Sequence, residues 1–405
     1  MGDDYSFLQE KIKDEAGNPK RLRKKIFRMI LLGFIFGITA CLTFFAFRPW
    51  LEGFLGQNVE EVSIPEDEIT EPDEETETVE EIPAETEEQI QKRLLKTLQN
   101  TAKDIRPGVV LVSGQKNLEE DAKDQKTSGV IIADNGSEML ILSRVFEQKS
   151  MKRAEVTFAD GCEYEATWKM YDPNLGIGIC AVNKDHITQE TWVQIETVRL
   201  GNSFQAEIGE PAIAMGISSE EDLKISFGFL ASGDEKIEIA DGNIDLLRTD
   251  VAGATFDNGM IFNQYVALIG IVNVENIENQ THVMAYSISD IKKEIEYMSN
   301  GNPIPYIGIW GVMLPDEIKA EGLEEGICVQ EIDTDSPAME AGIQCGDVIT
   351  QVENTKVSNM NEYRAALLNE NMEDGVVLTG LRKGADDQYV EMNFKITGSK
   401  TLMTD

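Results

Sequence analysis

From Val109 to Val272 the chain is written in short β-branched runs separated by turn residues, and this texture restricts the fold more than any other feature. Val109–Val112, Gly129–Ile132, Met139–Leu142, Glu155–Phe158, Ile177–Val182, Ala212–Met215, Ile225–Leu230 and Val266–Val272 all read as strands. Side chains branched at Cβ are stiff and suit a pleated surface. Many short strands at this spacing, with few helical stretches between them, give an antiparallel sandwich or barrel. A helix over Ser289–Met298 closes the region, and Gly301-Asn302-Pro303 marks a boundary. At 405 residues the chain has room for two folded units plus connecting material.

The N-terminal part has a different texture. Lys20, Arg21, Arg23, Lys24, Lys25 and Arg28 precede an apolar run over residues 29–47. That run nearly matches the ~30 Å hydrocarbon core of a bilayer at 1.5 Å per residue. The basic cluster holds residues 1–28 in the cytoplasm and sends everything after Trp50 to the outside of the plasma membrane. A cleaved signal peptide is the competing reading, but the run is long for one and no Ala-x-Ala site follows. Residues 48–88 form an acidic stretch with Pro65, Pro72 and Pro83, and between 52 and 88 it has no Lys or Arg; like-charge repulsion predicts a disordered stalk. Thr86 and Gln89 then form a candidate capping box for a helix with Ile90, Leu94 and Leu98 on one face. The formal net charge of −37 argues against nucleic acid as a partner. Five cysteines without CxxC spacing and two histidines indicate no metal cluster, and no Gly-rich phosphate loop stands out, so no cofactor is expected.

The last hundred residues form a separate unit. Ser336-Pro337-Ala338 starts a short helix, Ala341-Gly342 ends it, and Gly346-Asp347 makes a tight turn into a strand. A second helix, Asn361–Leu368, follows the capping candidates Ser358 and Asn359. This segment resembles the PDZ signature. Upstream, Tyr306, Ile307, Gly308 and Ile309 resemble the carboxylate-binding loop of such domains, where backbone N–H groups hold a peptide's terminal carboxylate while the peptide adds as a strand.

A PDZ unit behind a β-rich domain, a stalk and an anchor is the layout of membrane-bound HtrA-type serine proteases. Arg106-Pro107-Gly108-Val109-Val110, Ser128-Gly129-Val130-Ile131-Ile132, Phe158-Ala159-Asp160-Gly161, Asp172-Pro173-Asn174, Gly209-Glu210-Pro211 and Thr249-Asp250-Val251-Ala252 resemble that family's landmarks in order. The resemblance covers roughly residues 105–397. It implies a mainly β chain: a trypsin-like double β-barrel over 89–300, then an α+β PDZ domain over 301–400, behind an N-terminal transmembrane helix. At the family's three catalytic positions this chain has Arg144 for the histidine, Gly176 for the aspartate and Asn258 for the serine. A guanidinium does not accept a proton, glycine orients nothing, and a carboxamide is not activated by a base. The expected function is therefore that of a pseudoprotease that binds peptide C termini and unfolded segments through the PDZ domain, as chaperone, adaptor or decoy. A homotrimer, or assembly with an active HtrA relative, is also implied. Two alternatives stay open: a serine endopeptidase using an unrecognised site, and a structural envelope protein. His186 and His282 read as surface turn residues, and no particular Ser-Lys pair stands out.

Overall fold

Several strand runs are apolar without interruption because they are packed on both faces. In β1 (Val109–Gly114), Val109 and Leu111 join one buried cluster while Val110 and Val112 join another, the period of two that a pleated strand imposes. This computed structural model describes residues 59–67, 86–114, 126–145, 153–217, 222–252, 258–272, 282–319, 322–323, 325–370, 372 and 375–396. The span expected at residues 29–47 lies outside them. Among the described residues no helix is long and apolar enough to cross a membrane.

β1 closes a barrel with β2 (Lys126–Asp134), β3 (Glu138–Arg144), β4 (Arg153–Thr157), β5 (Glu163–Asp172) and β6 (Ile177–Asn183), in the order β1-β2-β3-β6-β5-β4. Every pairing is antiparallel, and β4 returns to β1 so that no edge is left open. A second ring follows, made from β7 (Arg199–Leu200), β8 (Pro211–Ile217), β9 (Leu223–Ile239), β10 (Gly242–Ala252), β11 (Met260–Phe262), β12 (Ala267–Val272) and β13 (His282–Ser287). Its order is β11-β8-β9-β10-β13-β12, closed by a β11–β12 pairing, with β7 added parallel to β12. Val110, Ile131, Ile141 and Val156 belong to the first barrel's own core, and Ala212, Leu247, Ile261 and Ile269 to the second's. The opposite faces of both barrels share one cluster with the helices α1 (Glu87–Ile105) and α2 (Ile288–Ser299), including Leu140, Ile179, Met215, Phe262, Ile291 and Ile295.

The C-terminal unit is a sheet in the order β14-β15-β16-β18-β19, with β17 beside β16. Its strands are β14 (Ile309–Met313), β15 (Ile327–Ile332), β16 (Val348–Val352), β17 (Thr355–Lys356), β18 (Val376–Lys383) and β19 (Tyr389–Ile396). A third helix, α3 (Met360–Leu368), begins where Asn359 accepts a hydrogen bond from Glu362 N at 2.9 Å. The single turn Pro337–Glu340 is capped by Ser336, and Asp347 takes the Arg382 guanidinium in two bonds of 2.7 Å. The unit therefore has its own core, built on Ile309, Val329, Ile349, Tyr363 and Phe394.

One expectation needs correction. Residues 59–67, read as disordered stalk, lie along α2. Val62 N donates to Asn300 Oδ1 at 2.9 Å and Asn300 Nδ2 returns a bond to Val62 O at 2.8 Å. Asp67 is paired with Lys292 at 2.7 Å, and the Lys292 side chain is only 6% exposed. Repulsion between acids does not decide the outcome where Asp67 and Glu66 meet Lys292 and Lys293, and Val62 and Ile64 add apolar contact with the shared core. The helix expected after Thr86 is α1, its capping bond from Thr86 N to Gln89 Oε1 is present at 2.9 Å, and Leu94 is half exposed. Leu98, Ala102 and Ile105 pack this helix on the shared core.

Candidate functional site

Arg144 ends β3 opposite Ile177, and Val145 N donates to Gly176 O at 2.8 Å, so the first two of the positions singled out in the sequence are neighbours across one strand pair. Gly176 has φ +63°, and nothing lies within 4 Å of the place a Cβ would take. Asn258 reaches the same neighbourhood from the other barrel. Its Oδ1 accepts from Ser128 N at 3.0 Å and from Ser128 Oγ at 2.6 Å. Ser128 O in turn accepts from Ser143 Oγ, the residue before Arg144, at 3.0 Å. The three positions are thus joined by one run of contacts through β2 and β3. His186 is exposed in the turn Lys184–His186, and His282 is half-buried at the start of β13.

The second candidate site is the loop before β14. Tyr306 directs its hydroxyl to Asp333 Oδ2 at 2.7 Å. Ile307, Gly308 and Ile309 turn three consecutive N–H groups to one side, as a carboxylate seat requires. Gly308 permits this with φ +87°; a Cβ there would stand 2.5 Å from Ser336 Cβ. The seat is filled by the chain itself. Asp241, at the turn between β9 and β10, accepts from Ile307 N at 2.6 Å and Gly308 N at 2.8 Å through Oδ2, and from Ile309 N at 3.0 Å through Oδ1. The Tyr363 hydroxyl adds a bond at 3.2 Å. Burial pushes the Asp241 carboxyl above the usual carboxylate range, against the pull of the three N–H donors and the Arg364 charge.

Arg364, on α3, fixes this arrangement. Its Nη2 is 2.6 Å from Asp172 Oδ2 at the end of β5, and its Nε bonds Glu294 Oε1 on α2. Asp172 also accepts from Asn174 N at 2.8 Å and so shapes the turn that carries Gly176. One guanidinium therefore ties the first barrel, the closing helix and the C-terminal unit together. Sequence reasoning missed both Arg364 and Asp241. The Asp241-Gly242 pair is a hairpin signal, but nothing local says that its carboxylate travels to residue 308.

Beyond the seat, a cleft of about 670 Å³ runs between β14 and α3, walled by Lys236, Asp245, Asp290, Val312, Met313 and Met360. Asp290 accepts from Asp245 N at 2.8 Å and from Asn361 Nδ2 at 2.7 Å. Burial pushes its carboxyl up to about 6, and the neighbouring Asp245 charge also raises it, while the Asp245 N–H opposes the rise. The folded state thus holds this proton more tightly than the unfolded chain, whose aspartates titrate near about 3.9. The associated stability is complete below about pH 4 and is lost as pH rises through about 6. Urea unfolding at pH 4.5 and pH 7 should show Asp290→Asn gaining about 2 kcal/mol on the wild type at the higher pH. Parallel pH profiles for the two proteins would contradict this.

The profile of PDZ domains matches residues 305–392. Serine protease Do-like HtrA of Lactococcus lactis subsp. cremoris is 24% identical over 282 residues, 64% of this chain and 68% of the relative. The Bacillus subtilis protein of the same name is 23% identical over 296 residues, 68% of this chain and 64% of the relative. Among solved structures, the HtrA-type protease AlgW with tripeptide aligns with a TM-score of 0.54 at 19% identity, covering 74% of this chain and 96% of that one. The serine endoprotease from Yersinia pestis aligns at 0.51 and 20%, covering 78% and 99%. The chain is a homologue of HtrA-type serine proteases, with a trypsin-like double barrel followed by a PDZ domain.

Proposed function

We propose that this protein is a pseudoprotease, held at the outer face of the plasma membrane by residues 29–47, that captures peptide C termini and unfolded segments with its PDZ domain while the double barrel serves as scaffold. The observation that carries this reading is the convergence of the Ile307, Gly308 and Ile309 N–H groups on a single carboxylate. The loop binds the group that a peptide terminus would offer, in the mode of carboxylate capture beside an added strand. Support for the loss of hydrolysis comes from Arg144, Gly176 and Asn258, none of which can take its triad role. Trimer formation and pairing with an active relative belong to the same proposal.

The test combines retention with integrity. The full chain is immobilised and offered decapeptides with free or amidated C termini, and the eluted peptides are weighed by mass spectrometry. Free acids should be retained about ten- to a hundredfold better than amides, because a charge-assisted hydrogen bond is lost on amidation, and both should emerge uncut. Equal retention of acids and amides would favour the structural alternative. Cleaved products would favour the endopeptidase.

A further inference from the structure

The β9–β10 turn meets the PDZ loop as a peptide terminus would. Asp241 presents a carboxylate to three N–H groups and also donates its own N–H to Ile309 O at 2.8 Å. Two residues on, Asn243 Nδ2 reaches Gly311 O at 3.4 Å, on the same free edge of β14. A strand edge offers its carbonyls at every second residue, so 309 and 311 are the positions that an added peptide strand would use. Asp241 holds φ +61°, a conformation that aspartate tolerates better than most residues, which lets the turn direct its side chain rather than a chain end into the seat. With Asp241 only 3% exposed and the edge covered at both carbonyls, an incoming C terminus has no vacant seat.

We propose that Asp241 is a resident intramolecular ligand of the carboxylate loop, so that a peptide C terminus binds only by displacing the β9–β10 turn. This rests on the peptide-capture reading above and adds its regulation. A tethered ligand competes at a local concentration in the millimolar range, and the measured affinity of an external peptide falls by the fraction of molecules with the seat open. Displacement also withdraws Asp241 from the second barrel's hairpin contact with the PDZ unit, so occupancy of the groove and docking of the two domains are coupled.

The test uses the full chain in three forms: wild type, Asp241→Gly and Asp241→Asn. Glycine keeps the positive φ and the backbone bond to Ile309 O while removing the carboxylate; asparagine keeps the shape without the charge, and serves if the glycine variant does not fold. Fluorescein-labelled decapeptides ending in Val, Leu or Ile are titrated by anisotropy, with amidated peptides alongside. The variants should bind the free acids about ten- to a hundredfold more tightly than the wild type, with no gain for the amides. Without any peptide, hydrogen exchange at the amides of Ile307, Gly308 and Ile309 should quicken in both variants. Equal affinities in wild type and variants, or unchanged exchange at these amides, overturn the resident-ligand role while leaving peptide capture standing. Failure of every form to bind the free acids, with exchange quickened as expected, defeats the peptide-capture reading instead, and the displacement step with it.

Discussion

Arg364→Ala is expected to lower the unfolding free energy by about 3–5 kcal/mol, the cost of breaking a buried ion cluster by removing one partner. Asp172 and Glu294 have side chains 0% and 1% exposed, so without the guanidinium two carboxylates stay in a poorly hydrated interface with nothing to balance them. At about 2–4 °C of melting temperature per kcal/mol, the expected drop is about 6–20 °C. The loss should be reported most strongly by Trp310, beside the seat, because the PDZ unit loses its ion pairs to both α2 and β5. A control separates charge from packing. Asp172→Asn, Glu294→Met and Arg364→Met combined remove every charge of the cluster, and Asn keeps an oxygen for the Asn174 N–H. That triple variant should lie within about 1–2 kcal/mol of the wild type, since apolar replacements of buried ion clusters are often neutral. A single Arg364→Ala change that left the melting temperature in place would show that the cluster does not hold the domains together.

Most of the architecture was legible because barrel strands report themselves locally. Val109–Val112, Ile177–Val182 and Val266–Val272 are apolar on both faces, so each stands out against its turns whatever its partners. β10 escaped because Asp245, Arg248 and Asp250 interrupt its apolar residues, and its identity depends on β9 and β13 beside it. The acidic stretch misled for a related reason. Composition averages over a segment, but Asp67 alone meets Lys292, and that cation is contributed by a helix more than two hundred residues away. The carboxylate loop was readable from Tyr306 to Ile309, whereas its occupant was not. Asp241 is separated from Gly308 by 67 residues and by a domain boundary, and only the packing of one unit on the other brings them together.

Against casein or unfolded peptides the wild-type protein should show no turnover above background, because loss of the serine or the histidine alone costs on the order of 10⁶ in a triad mechanism. On the proposed reading, Arg144 stands where the family has its base and Asn258 where it has its nucleophile, and a guanidinium has no acceptor atom to take a proton. Asn258 is moreover committed elsewhere: its Oδ1 takes both the N–H and the hydroxyl of Ser128, a residue 1% exposed. Asn258→Ser would shorten that side chain and remove the two hydrogen bonds that Oδ1 accepts from Ser128, at about 1 kcal/mol for each bond. Restoring the triad with Arg144→His, Gly176→Asp and Asn258→Ser is therefore expected to yield a less stable protein that still hydrolyses poorly. Gly176 itself is not the obstacle, since its surroundings have room for a side chain and aspartate accepts its positive φ. The larger expected obstacle is the commitment of Asn258 to Ser128. Fluorogenic casein and a serine-directed phosphonate probe measure the two halves of this expectation. Cleavage by the wild-type protein that the phosphonate abolishes would end the pseudoprotease reading. Full activity in the triple revertant would show instead that the fold still holds a competent oxyanion hole, with the loss confined to the three side chains.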